Sequence, residues 1–61
     1  MKYFVNLFPW EEEDAEAEFD TLFKATEYAV IKQVYSDEVV CIWEGGNGVP
    51  SAVVVYGRVY S

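Results

Sequence analysis

The sequence contains no histidine and only one cysteine, Cys41. Histidine is the commonest general base and a frequent metal ligand, and without it Cys41 has no imidazole to activate it. Cys41 lies within an apolar run, which predicts a buried structural thiol. A lone cysteine also excludes an intrachain disulfide and favours a reducing, intracellular setting. We therefore expect a protein that is not an enzyme and that uses no cofactor or metal.

Long apolar runs and chain-breaking residues are also scarce. No run approaches the roughly 20 apolar residues of a membrane-spanning helix. The opening run MKYFVNLF is short for a signal peptide, because Pro9, Trp10 and acidic residues follow it at once. Two prolines, four glycines and 52% hydrophobic residues argue against a disordered chain. We expect one folded domain, 1–61, in the cytoplasm, that does not bind membranes.

Basic residues are few, since four lysines and arginines stand against eleven aspartates and glutamates. The surplus is confined to one segment, and the rest of the chain balances its acids with its basic residues, so this segment carries the net charge of −7. Its seven acids are Glu11, Glu12, Glu13, Asp14, Glu16, Glu18 and Asp20. An acidic surface repels nucleic acid and anionic lipid. We therefore predict a basic protein surface as the partner, without direct nucleic-acid binding.

Residues 10–25 have the hydrophobic period of an α-helix. The apolar stripe consists of Ala15, Phe19, Leu22, Phe23 and Thr26, at positions i, i+4, i+7, i+8 and i+11. Pro9 suits the first position of such a helix, and acids in its first turn complement the helix dipole. The pattern predicts an acidic amphipathic helix.

The rest of the chain is rich in β-branched and aromatic residues, which predict strands. We expect strands at 2–8, 27–35, 39–43 and 51–60, a tight turn at 36–38, a glycine-rich connection at 45–50 and a bend at Gly57. Asn47 and Gly48 supply residues that tolerate positive φ in that connection. The predicted fold is α+β in the order β-α-β-β-β, with a mainly antiparallel sheet and the acidic helix packed on one face.

One helix covers only one face of a sheet, and neither face of the predicted strands is plainly polar. Trp43, Tyr56 and Tyr60 are therefore expected to stay exposed as a second contact surface, since an uncovered aromatic patch often marks a partner site. In the alternative, the sheet curls tightly and buries most of this surface.

Two stretches resemble ligand-binding motifs but lack their defining residues. The stretch EGGNGVP has no Gly-Lys-Ser/Thr ending and leads into a strand, so it predicts a turn and not a phosphate-binding loop. The acidic run lacks the alternating oxygen ligands of a calcium loop. We therefore predict no metal site.

On a helix, the acidic run would carry about one charge per 2 Å of axis, close to the one per ~1.7 Å of duplex DNA. Glu12, Glu16 and Asp20 would form an i, i+4 row whose mutual repulsion a basic groove would convert into attraction. Mimicry of nucleic acid is one interpretation of this run. The other is a solvated helix face that keeps a small, aromatic-rich domain monomeric, and we favour a monomer over a homodimer.

With the run from Glu11 to Asp20 in a very short, cysteine-poor domain, the chain resembles the small acidic inhibitors of bacteriophages and mobile elements, anti-CRISPR proteins above all. The likeness is one of overall character and includes no sequence motif. It implies blockade of a nucleic-acid-binding complex, such as a CRISPR effector, at its basic groove. Alternatives are a phage-type inhibitor of host RNA polymerase, a structural or assembly protein that associates through its aromatic sheet face, and an enzyme of unrecognised type.

Overall fold

The computed structural model describes residues 1–8, 10–46 and 48–61, which form one antiparallel sheet and one α-helix. The strands are β1 (Tyr3–Leu7), β2 (Ala17–Phe19), β3 (Val40–Glu44), β4 (Pro50–Val55) and β5 (Arg58–Tyr60). Their order across the sheet is β2-β1-β3-β4-β5, so β2 and β5 form opposite edges. Helix α1 (Leu22–Ser36) packs on one face. The predicted α+β class, with a mainly antiparallel sheet and a helix on one face, is confirmed.

The helix lies later in the chain than the sequence predicted. The region 10–25 contains a 3₁₀ turn (Glu12–Asp14), β2 and only the start of α1, and the strand predicted at 27–35 lies inside α1. The element order is therefore β-β-α-β-β-β, and the prediction of an acidic helix is wrong. Across the described residues, no helix has the length and apolar character that crossing a membrane requires.

Charge repulsion and side-chain alternation explain why the acidic run is not helical. Acids at i and i+4 repel one another on a helix surface. In an extended strand, successive side chains point to opposite faces, and Glu18 stands between Ala17 and Phe19 in this pattern. Ala17 and Phe19 pair with Val5 and Tyr3 of β1. The period-two pattern of this short stretch therefore prevails over the longer helical one.

Helix α1 begins at a side-chain cap. The Oγ1 atom of Thr21 accepts a hydrogen bond from the Lys24 backbone N–H at 3.2 Å, which satisfies one of the free donors of the first turn. Ala25, Ala29 and Gln33 then recur at i, i+4 and i+8 and form the buried side of the helix. Because two of these three side chains are methyl groups, the helix lies close to the sheet.

The turns depart from prediction in detail. Asp37, in the turn expected at 36–38, ends α1 in the left-handed conformation with φ of 57°. The strand expected at 51–60 is a hairpin of β4 and β5, since Tyr56 and Gly57 have φ of 52° and 75° and reverse the chain. The predicted roles of Pro9 and Asn47 lie outside the described residues.

The helix face of the sheet forms the core. Its fully buried strand residues are Val5, Val40, Ile42 and Val54, which pack with Ala25 and Ala29 of α1. Tyr3, Leu7, Phe19, Tyr28 and Val30 surround this cluster and are partly buried. The far face of the sheet has no α-helix on it, so its apolar residues need another cover.

On the far face, the prediction of an exposed Trp43 is wrong, because only 4% of this residue is accessible. Its Nε1–H donates to Oδ1 of the buried Asn6 at 2.9 Å, and Nδ2 of Asn6 donates to the carbonyl of Glu11 at 2.6 Å. The 3₁₀ turn is thereby held over this face, and the buried polar groups are paired. Tyr56 and Tyr60 are exposed as predicted, at 87% and 54%.

Replacing Ala29 by leucine is expected to lower the free energy of unfolding by about 1–3 kcal/mol, because the fully buried methyl group leaves no room for a larger side chain. Urea unfolding followed by tryptophan fluorescence measures the change. Val34→Leu on the exposed side of the same helix is the control and should change stability by less than about 0.5 kcal/mol. Equal effects of the two substitutions would contradict the close packing of α1.

Candidate functional site

The acidic segment, residues 11–20, consists of the 3₁₀ turn and the edge strand β2. The turn lies over the far face of the sheet at Asn6, and β2 pairs with β1 at the edge. The structure therefore brings the seven predicted acids into one continuous region. It does not place them on one helix face, and their side chains differ in what they contact.

Glu12 is bound to the connection between β3 and β4. Its carboxylate accepts the backbone N–H of Gly46 at 2.8 Å and that of Gly48 at 3.1 Å. Both glycines have positive φ, of 85° and 75°, a conformation that glycine adopts without steric penalty. Two converging N–H groups on a carboxylate form charge-assisted hydrogen bonds. Glu12 thus holds the 3₁₀ turn against the connection between β3 and β4.

Glu16 is bound to helix α1. Its Oε2 accepts the Tyr28 hydroxyl at 2.6 Å and lies 3.1 Å from Nζ of Lys32. The hydrogen bond from Tyr28, followed by the bond and charge of Lys32, lowers the pKa of Glu16 despite its partial desolvation. The same bond, with burial, raises the pKa of Tyr28 and keeps its hydroxyl a donor. Glu16 thus links the edge of the sheet to the helix.

Glu18 and Asp20 form ion pairs at the surface. The Glu18 carboxylate lies 3.1 Å from Nζ of Lys2, and the Asp20 carboxylate lies 3.3 Å from Nζ of Lys24. The hydrogen bond and charge of Lys24 lower the pKa of Asp20. More than half of each of these side chains is exposed, and exposed pairs contribute little to stability. Breaking these two ion pairs would therefore lower the free energy of unfolding only slightly.

Glu11, Glu13 and Asp14 are exposed on the 3₁₀ turn. Among the described residues, none of their carboxylates has a hydrogen bond or an ion pair. Only backbone groups of the turn are bonded, such as the Asp14 N–H to the Glu11 carbonyl at 3.0 Å. These three acids are the uncompensated part of the segment.

A cleft of about 520 Å³ opens between the 3₁₀ turn and the glycine connection. Phe4, Gly46 and Gly48 line it together with five of the acids, which are Glu11, Glu12, Glu13, Glu16 and Glu18. Carboxylates beside an aromatic ring suit the cationic head and apolar stem of lysine or arginine. Sequence reasoning missed Phe4 and assigned the glycines only a turn, because a helix would have pointed the acids away from the sheet.

The second predicted contact surface is not part of this region. Tyr56 lies in the turn between β4 and β5, and Tyr60 lies on β5, at the edge opposite β2. Trp43 is buried between them and the acidic segment. The two exposed tyrosines therefore belong to a surface that is separate from the acidic segment.

Cys41 and the acids are the side chains that the sequence offers for a nucleophile or a metal site. Cys41 is buried on β3, and burial raises the pKa of its thiol, so the nucleophilic thiolate is disfavoured. Within residues 1–8, 10–46 and 48–61, no group of three or more acids or cysteines is arranged to hold a metal ion.

Comparison with known proteins finds no matching family model, no matching curated protein and no matching solved structure. The site is therefore interpreted from its own geometry and charge.

Glu12→Ala is expected to lower the free energy of unfolding by about 1–2 kcal/mol, because it leaves the Gly46 and Gly48 N–H groups without their carboxylate and releases the 3₁₀ turn. Urea unfolding measures the change. Glu13→Ala removes an equal charge from the same turn but no hydrogen bond or ion pair of the described residues, and it should leave stability unchanged or slightly higher. A similar loss in both variants would show that Glu12 is not a structural tie.

Glu16→Gln tests the pH dependence of the link to α1. Because the pKa of Glu16 is lowered on folding, its contribution is complete at neutral pH and is lost as the pH falls through the folded-state pKa. The substitution should cost about 1 kcal/mol at neutral pH, at the low end for a charged hydrogen bond because the pair is partly exposed. The difference from the unmodified protein should shrink below about pH 4. Thermal unfolding across a pH series measures it, and a difference that is constant or grows in acid would contradict the assignment.

Proposed function

We propose that the protein is a non-enzymatic inhibitory binding protein that places its acidic segment against a basic surface of a partner protein. The observation that carries the proposal is the uncompensated cluster of Glu11, Glu13 and Asp14 on one exposed turn. Glu18 and Asp20 extend the negative surface along the edge strand. Their ion pairs with lysine are exposed, so contacts with a basic partner can replace them. Glu12 and Glu16 hold the segment in place and are assigned a supporting role.

A surface that evolved to hold phosphates is the natural complement of this region. Such surfaces present clustered lysine and arginine, and opposite potentials accelerate encounter and select the partner. The acids do not have the charge spacing of a helical rod, because a strand rises about 3.3 Å per residue and alternates its side chains. What supports the proposal is the concentration of negative charge on a segment that is fixed to the sheet.

The proposed target is a nucleic-acid-binding complex of the host, in the cytoplasm, with a CRISPR effector as the first candidate and host RNA polymerase as the second. The resemblance to small acidic phage inhibitors supports this choice. Binding at the basic groove would exclude nucleic acid by competition for the same lysine and arginine side chains. No chemical step by the inhibitor is required.

A second candidate function is assembly through aromatic contacts. The observation that favours it is the exposure of Tyr56 and Tyr60, with the half-exposed Val59, around the β4–β5 hairpin. These side chains lie at the sheet edge opposite the acids, where the unpaired side of β5 can accept another strand. The two functions require different residues.

Capture from a host extract tests the proposal. We expect the immobilised protein to retain a basic nucleic-acid-binding protein at low salt, and to release it on addition of duplex DNA or of high salt. The variant Glu11→Gln, Glu13→Gln, Asp14→Asn should retain at least about tenfold less, because it removes three uncompensated charges. The control Glu11→Asp, Glu13→Asp, Asp14→Glu keeps the charges and should retain the partner.

Retention that DNA and salt do not affect, or that survives the neutral variant, would contradict the proposal. Loss of retention in Tyr56→Ala with Tyr60→Ala, but not in the neutral variant, would favour assembly instead.

A further inference from the structure

Helix α1 carries several of its large apolar side chains on the outside. A surface helix normally turns such residues toward the core and polar residues toward water. Here the buried side consists of Ala25, Ala29 and Gln33, whereas Phe23 is 71% exposed and Val34 is 65% exposed. The helix therefore presents an apolar face on each side, and only the inner one is covered by the described fold.

The outer apolar residues form one stripe. Phe23, Ile31 and Val34 recur at i, i+8 and i+11, so they lie along one face of the helix, and the partly buried Val30 at i+7 borders them on the core side. We call this row of side chains the outer stripe. An exposed apolar row of this kind on a small monomer typically marks a contact surface.

The outer stripe includes a groove that can accept a side chain of another helix. A groove of about 340 Å³ is lined by Phe23, Thr26, Glu27, Val30 and Ile31. The first four occupy positions i, i+3, i+4 and i+7, which is the spacing of the four residues that form a hole in knobs-into-holes packing. The geometry therefore favours a helical occupant.

The size of the stripe favours a single docked helix over a stable dimer. Helix α1 has 15 residues and is therefore roughly 22 Å long. The three exposed side chains offer on the order of 100 Å² each and provide roughly 300 Å², less than half of what one partner contributes to a standard stable interface. A short amphipathic helix that lies in a groove needs less area than two folded domains do.

The charge around the stripe identifies the chemistry of the occupant. Glu27 lies on the groove, and Asp37 and Glu38 follow the C-terminal end of α1. The two lysines of the helix are already paired, Lys24 with Asp20 and Lys32 with Glu16. A second copy would bring a second Glu27 to this face. A partner with basic residues beside an apolar row avoids that repulsion.

We propose that the outer stripe of α1 docks an amphipathic helix of a partner protein, with apolar side chains seated at Phe23 and Ile31 and with lysine or arginine facing Glu27. This surface is separate from the acidic turn, because α1 covers one face of the sheet and the turn lies over the other. The two surfaces can be occupied at the same time. The docking of a helix does not depend on the function proposed for the acidic segment.

The test uses a synthetic amphipathic helix of leucine and lysine, with leucine at i, i+3, i+4 and i+7, titrated into isotope-labelled protein and followed by NMR. Amide shifts should concentrate in α1, and a matched leucine–glutamate peptide should bind at least about tenfold more weakly. Val34→Glu should weaken binding of the lysine peptide at least about tenfold, although it adds negative charge. The control Val49→Glu introduces the same change at a valine of equal exposure, 64% against 65%, and should leave the affinity unchanged or slightly higher.

The sign of the Val34→Glu effect decides between docking and general attraction, because a purely electrostatic complex would be strengthened by the added acid. Equal or tighter binding by that variant, or shifts confined to residues 11–20, would overturn the proposal without touching the function of the acidic segment. Sedimentation of the free protein tests the alternative that a second copy of the chain covers the stripe. A monomer is expected, and a dimer that Val34→Glu dissociates would assign the stripe to a second copy and overturn the proposal as well.

Discussion

The carboxylate of Glu12 joins two parts of the chain that the sheet alone would leave apart, the 3₁₀ turn and the β3–β4 connection. Together with the bond from Asn6 to the Glu11 carbonyl, it holds the acidic segment across the face of the sheet that α1 does not cover. Trp43 is buried on that face and hydrogen-bonded to Asn6. The cover of the far face and the location of the free acids depend on this attachment.

The concentration of charge in one segment therefore has two physical roles. Glu12 and Glu16 are internal ties, each bonded to groups that lie far away in the sequence. Their neighbours Glu11, Glu13 and Asp14 are exposed on the same turn, and their carboxylates have no such bond among the described residues. Fixing these two side chains brings the free acids together on one negative surface.

The sequence predicted the fold class better than the order of its elements. Strands β1 and β3 lie within or next to the predicted 2–8 and 39–43, because their alternation and β-branched residues agree with their final position. The helix was misplaced because residues 27–35 also alternate, and because Phe23 belongs to the outer face of α1 and not to its core. Local periodicity cannot tell an apolar stripe that packs inside from one that remains outside.

The candidate site was predicted as a set of residues but not as an arrangement. All seven acids were identified from charge alone, yet the partners of Glu12 are 34 and 36 residues away and leave no local signal. The most direct test of the account is an NMR comparison of the Gly46 and Gly48 amide protons in the protein and in its Glu12→Ala variant. Their shifts should move when the Glu12 carboxylate is removed, whereas the Gly57 amide, which donates to the neutral Oε1 of Gln33 at 2.7 Å, should not change. Shifts of Gly46 and Gly48 that do not respond to the substitution would contradict the attachment of the acidic segment to the sheet.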